Sequence, residues 1–116
     1  MKTKTLLLLT GIPLLLSSCM TTNTLYSWYD YEDATYQYNK KHTDELKTKV
    51  LEEYKNVIEK QKGTRRQVPP GLYAEYGYML YMTGQKDEGI KFLKEEIKQY
   101  PESEKYISRI IKQLEK

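Results

Sequence analysis

The chain has 116 residues, with 19 Lys+Arg, 16 Asp+Glu, one His and one Cys, which bounds it to a single domain. Lys2 and Lys4 supply two of the +3 formal charges, so the rest of the chain is near neutral and a basic nucleic-acid binder is excluded. A lone Cys excludes an internal disulfide, and one His leaves little material for a metal cage or a His-dependent active site; the unusual count is 12 Tyr against one Phe and one Trp.

Residues 1–18 have the layout of a secretory signal. Lys2 and Lys4 form the positive region, and an apolar run from Leu6 to Leu16 follows, broken by Thr10, Gly11 and Pro13. The run is about half the roughly 20 residues that a membrane span requires. It ends in Leu16-Ser17-Ser18-Cys19. This string resembles the lipobox of bacterial lipoproteins, an aliphatic residue and two small residues before a nucleophilic thiol. The resemblance implies a covalent lipid on Cys19, cleavage before it, and stable anchoring through two or three acyl chains. Residue 20 is Met, not Asp, and no acidic cluster follows, so the pattern implies the outer membrane, with the protein facing the periplasm. Residues 19–26 are expected to be a lipidated polar tether, and 27–116 a helical domain.

From Trp28 to Lys41, Trp28, Tyr31, Thr35 and Tyr38 recur every three to four residues and favour a helix. Tyr26, Trp28 and the Tyr29/Tyr31 pair could also alternate as an extended strand, but helix is the expectation for Trp28–Lys41. His42–Lys62 places Leu46, Val50, Leu51, Tyr54, Val57 and Ile58 on one helical face. Thr43 suits its N-cap, Asp44 and Glu45 its first turn, and Gly63 its stop. Pro69-Pro70 interrupts any helix through the 63–71 linker. Further helices are expected over Leu72–Thr83, ending at Gly84, over Lys86–Tyr100, ending at Pro101, and after Ser103. The last would carry Tyr106, Ile107, Ile110, Ile111 and Leu114 on one face. The fold class is all-α, with about four to five helices.

From Pro70 to Pro101 the sequence resembles one tetratricopeptide repeat, two antiparallel helices. Tyr73, Tyr76, Leu80 and Leu93 match its bulky positions. Gly77 and Gly89 match the small positions where the helices cross, Gly84 the turn, and Pro101 the end. Glu96 departs from the pattern, which has a small residue there. One repeat cannot bury its own face, so the flanking helices must complete the core, the last as a cap. The resemblance places Ala74, Glu75, Tyr78, Tyr81 and Met82 on a concave surface. Tyr78, Tyr81 and Met82 are the candidate protein-binding residues, aromatic and adaptable as interfaces are.

The whole chain resembles a narrower family of small bacterial lipoproteins, catalogued as domain of unknown function 4810. The shared features are the lipobox, the Ser27-Trp28-Tyr29-Asp30-Tyr31 aromatic segment, a charged helix, the Val68–Gly77 string and Tyr100-Pro-Glu-Ser103. The resemblance implies an envelope lipoprotein. It also suggests the company of a lipoprotein resembling the curli secretion channel, and it brings no catalytic residues and no cofactor.

The remaining candidates for chemistry are weak. His42 beside a helix start suits a solvated or capping role. Glu52-Glu53, Asp87-Glu88 and Glu95-Glu96 are expected on the solvated sides of helices. Arg65-Arg66 could meet anionic headgroups or peptidoglycan carboxylates, or simply solvent. The Tyr26–Tyr38 cluster could grip a glycan or partner, or wedge the lipidated end onto the repeat. The expected function is a membrane-anchored binding or assembly adaptor. The alternatives are a structural or chaperone-like subunit without a groove and, least favoured, an enzyme.

Overall fold

The structure, a computed structural model, describes residues 24–116. The signal segment 1–18, the lipobox Leu16-Ser17-Ser18, and Cys19 lie outside the described residues. Five helices follow one another: α1 (Tyr31–Lys41), α2 (Asp44–Glu59), α3 (Leu72–Met82), α4 (Lys86–Gln99) and α5 (Glu104–Leu114), with a 3-10 turn over Pro101–Ser103 before the last. The fold is an all-α array, and no strand occurs among the described residues. None of their helices is long and apolar enough to cross a membrane.

Each helix boundary has a local cause. Trp28 to Tyr31 is a turn rather than a strand, and α1 begins at Tyr31. Its first turn carries Glu32 and Asp33 and its last Lys40 and Lys41, the order that the helix dipole favours. His42 ends it in the left-handed conformation at φ 46°, donating its N–H to Tyr38 O. Thr43 starts α2, its Oγ1 accepting the Leu46 N–H at 3.2 Å. That helix stops at Glu59, earlier than the expected Lys62, and Gly63 is not its stop. Gly63 is buried because the chain at Leu25 and Tyr26 crosses directly over it, and a Cβ would collide with the Leu25 carbonyl.

Consecutive helices pack on one another, so α1/α2 and α3/α4 form two hairpins and α5 covers the end of the array against α4. The α3/α4 contact is the most extensive. There Gly77 and Gly89 face each other: a Cβ built on either would fall 2.6 Å from the carbonyl oxygen of the other. The core comprises Ala34 of α1, Val50, Tyr54 and Val57 of α2, Val68 of the linker, and Leu72, Tyr76 and Leu80 of α3. Leu93 and Ile107 are buried on the α4 and α5 side.

Two glutamates expected in solvent are buried. Glu96 is 2% exposed and Glu53 is 9% exposed. Both cap the N-terminus of the preceding helix in their own hairpin. Glu53 accepts the Asp30 N–H at 3.1 Å. Glu96 accepts the N–H groups of Gly71 at 3.1 Å and Ala74 at 3.2 Å. Helix N-termini leave backbone donors without partners, so a carboxylate from the neighbouring helix satisfies them and meets the positive end of the dipole. The sequence separations are similar, 23 residues for Glu53 and Asp30 and 25 for Glu96 and Gly71. The two hairpins therefore share one internal device.

Candidate functional site

The face to search runs along the side of α3 turned away from Gly77. The sequence predicts Tyr78, Tyr81 and Met82 there. Tyr78 is 47% exposed and Met82 63% exposed. They line a groove of about 800 Å³ between α3 and α5, together with Ala74, Ile107, Ile110 and Leu114. Gly71 and the capping carboxylate of Glu96 also line it. Tyr106, on α5, is 69% exposed and forms part of the same wall. Sequence reading placed Tyr106 only on the apolar face of the last helix; its position one turn from Ile110 is the signal that it borders the groove.

Tyr81 is not part of that surface. It is half-buried, and its hydroxyl donates to Leu114 O at 2.6 Å, which ties the end of α5 to α3. The Lys86 ammonium lies over its ring, 5.6 Å from the centroid. Tyr81 therefore sets where α5 lies, and so the width of the groove, while Tyr78 and Met82 face into it.

A second depression, of about 480 Å³, shares Glu75, Tyr78 and Met82 with the first and extends toward Tyr38 of α1 and Lys47 of α2. Glu75, which lines both, accepts at Oε2 from the Tyr31 and Tyr54 hydroxyls, at 2.5 and 3.2 Å. Burial, reinforced by the hydrogen bond to Glu75 and by its charge, pushes the Tyr31 phenol well above its usual pKa. Burial, then the charge of Glu75, does the same to Tyr54. Two phenols fixed on one carboxylate join α1, α2 and α3 at the middle of this face.

The tyrosine excess is largely structural. A chain of aromatic contacts runs from Tyr26 to Trp28 (6.1 Å between centroids), Tyr31 (5.3 Å), Tyr54 (5.6 Å), Tyr76 (5.8 Å) and Phe92 (4.7 Å). Through this chain Tyr26, Trp28 and Tyr31 connect the N-terminal segment to α2, while Trp28 keeps part of its ring exposed. Tyr36, by contrast, is 59% exposed. Tyr100 holds the linker: its hydroxyl donates to Val68 O at 2.7 Å and accepts from Gln67 Nε2 at 2.7 Å.

His42 lies at the α1/α2 turn, its ring 5.0 Å from that of Tyr38. Among the described residues no group of three or more His, Cys, Asp or Glu side chains is arranged to hold a metal.

The Val68–Gly77 string is fixed at three points, by Tyr100 on Val68, by Glu96 on Gly71 and Ala74, and by the Gly77–Gly89 crossing. These contacts lock the linker and the start of α3 onto α4, and Gly71, Ala74 and Glu96 of the lock also line one end of the groove. Comparison with curated proteins and with solved structures gives no match. A family model does match, described as domain of unknown function (DUF4810), over residues 25–110, which takes in all the helices except the end of α5. The chain belongs to that family.

Proposed function

We propose that the protein is a cell-envelope lipoprotein, anchored through acyl chains on Cys19, whose helical array is a protein-binding or assembly adaptor. The observation that carries the reading is the exposed aromatic and apolar groove of Tyr78, Met82, Tyr106 and Ile110 between α3 and α5. Large apolar side chains clustered in a groove are costly in water and are characteristic of interaction sites. The array is read as tetratricopeptide-like. The Gly77–Gly89 crossing, the paired hairpins and the covering helix α5 support that reading. The lipobox, with the chain's lone Cys at its end, supports the anchor and with it an outer-membrane, periplasm-facing position.

The occupant of the groove in this reading is another envelope protein. The lipoprotein resembling the curli secretion channel is the first to examine. The test is purification of the intact lipoprotein from envelopes with wild-type, Tyr78→Glu and Lys94→Glu chains. A partner retained by wild type and Lys94→Glu but lost from Tyr78→Glu supports the adaptor. Equal retention by all three sinks the groove as its binding site.

A further inference from the structure

A second surface lies where the N-terminal segment meets the linker after α2. Residues 24–29 are held against 60–65 by a series of hydrogen bonds. Thr64 N–H donates to Thr24 O at 3.0 Å and Arg65 N–H to Leu25 O at 3.2 Å. Gln61 accepts from Ser27 N at 2.5 Å and returns a bond to Ser27 O at 3.2 Å, and Lys62 N–H donates to Ser27 Oγ at 3.2 Å. The Tyr29 hydroxyl donates to Lys60 O. Gly63 permits the close crossing in the middle. The last residues of the expected tether are therefore pinned to the domain.

The surface so formed has one chemical character. Leu25 is 56% exposed, Trp28 42% and Tyr29 46%. Lys60, Lys62, Arg65 and Arg66 are all exposed beside them. Residues 24–29 contain no charge and residues 60–67 no acid; Asp30 and Glu59 adjoin the two segments. The combination of cations with Trp, Tyr and Leu is the composition that favours the headgroup region of a bilayer.

Position agrees with chemistry. Only residues 20–23 separate Cys19 from Thr24. Even fully extended, that connection reaches at most about 18 Å.

We propose that this face rests on an anionic phospholipid surface. Lys60, Lys62, Arg65 and Arg66 take headgroup phosphates, and Leu25, Trp28 and Tyr29 enter the headgroup layer. The proposal rests on the lipoprotein reading: the acyl chains bring the face to the bilayer, and the face then fixes the orientation of the domain. Charge attraction to such a surface decays within about 10 Å at moderate salt, so a short tether is what makes these four cations effective.

Trp28 is the only tryptophan in the chain and reports directly on this face. The full acylated protein is reconstituted into vesicles of brominated phosphatidylcholine, with or without phosphatidylglycerol, and its acylation is read by mass on the same samples. Expected is a blue shift of Trp28 emission and quenching roughly twofold or more stronger in the phosphatidylglycerol vesicles, reversed by high salt and by the Arg65→Glu/Arg66→Glu variant. Acylated protein whose Trp28 is equally unquenched in both vesicles overturns this proposal and leaves the anchor standing. So does co-sedimentation with isolated peptidoglycan in place of lipid quenching. Protein without acyl chains sinks the lipoprotein reading, and the membrane-resting face with it.

Discussion

Glu96 shows how much of this small domain depends on single polar groups. Its buried carboxylate serves two backbone N–H donors, those of Gly71 and Ala74, at the start of α3. Replacing Glu96 with Ala leaves both without their partner, a loss of about 1–3 kcal/mol measurable by urea unfolding. A matched change at exposed Lys94 should cost under about 0.5 kcal/mol. Tyr31 and Tyr54 carry a second residue-scale consequence. Both phenols are held protonated above the ordinary value of 10.0 in the folded chain, first by burial and then by Glu75. Above that pH the unfolded chain gives up these protons while the folded chain retains them, so stability falls as pH rises. Their contribution is whole below pH 10 and is lost on going more alkaline; Tyr31→Phe and Tyr54→Phe should each flatten the alkaline fall in Tm. Of this, the sequence showed only that Glu96 stands where the repeat it resembles has a small residue. Glu96 follows Glu95 in a charged helix and reads as solvated, and Gly71, one of the two donors its carboxylate serves, lies 25 residues away.

At the scale of elements, local punctuation was informative. Thr43, Gly84 and Pro101 mark boundaries that the helices observe within a few residues, because caps and prolines act on their own backbone. The small residues expected at the α3/α4 crossing face one another as that packing requires. Gly77→Ala or Gly89→Ala should force α3 and α4 apart, with a loss of about 1–3 kcal/mol seen as a lower urea midpoint. Gly63 was legible only as a glycine after a helix. Its actual constraint is a crossing with the N-terminal segment, far away in sequence, and no helix-stop rule can anticipate that. The aromatic segment is a turn followed by α1, as its three-to-four-residue spacing favours from Tyr31 onward. Trp28 accepts the Tyr31 N–H in the turn before α1, and the aromatic chain runs on from both residues to Tyr54 of α2.

For the whole molecule, two capped hairpins and α5 form a scaffold whose exposed groove lies between α3 and α5, with a basic, aromatic face at the end nearest Cys19 in sequence. Tyr78 and Met82 of the groove could be named from sequence because the repeat pattern assigns them to one side of α3. Tyr81, four residues from Gly77, shares the face that crosses α4 and could have been set apart from them by helical spacing, whereas its bond to Leu114 shows only in the position of α5. Cys19→Ser should move the protein from the membrane fraction to the soluble fraction and abolish acyl labelling. Persistence of both would contradict the anchor. The most direct measurement of the adaptor reading is site-specific photocrosslinking in living cells, with the reactive residue at Met82 in the groove or at Lys94 on α4. A discrete adduct with one envelope protein from Met82, absent from Lys94 and lost when Tyr78→Glu is added, is the expected result. No adduct from Met82, or the same adduct from both positions, would contradict it.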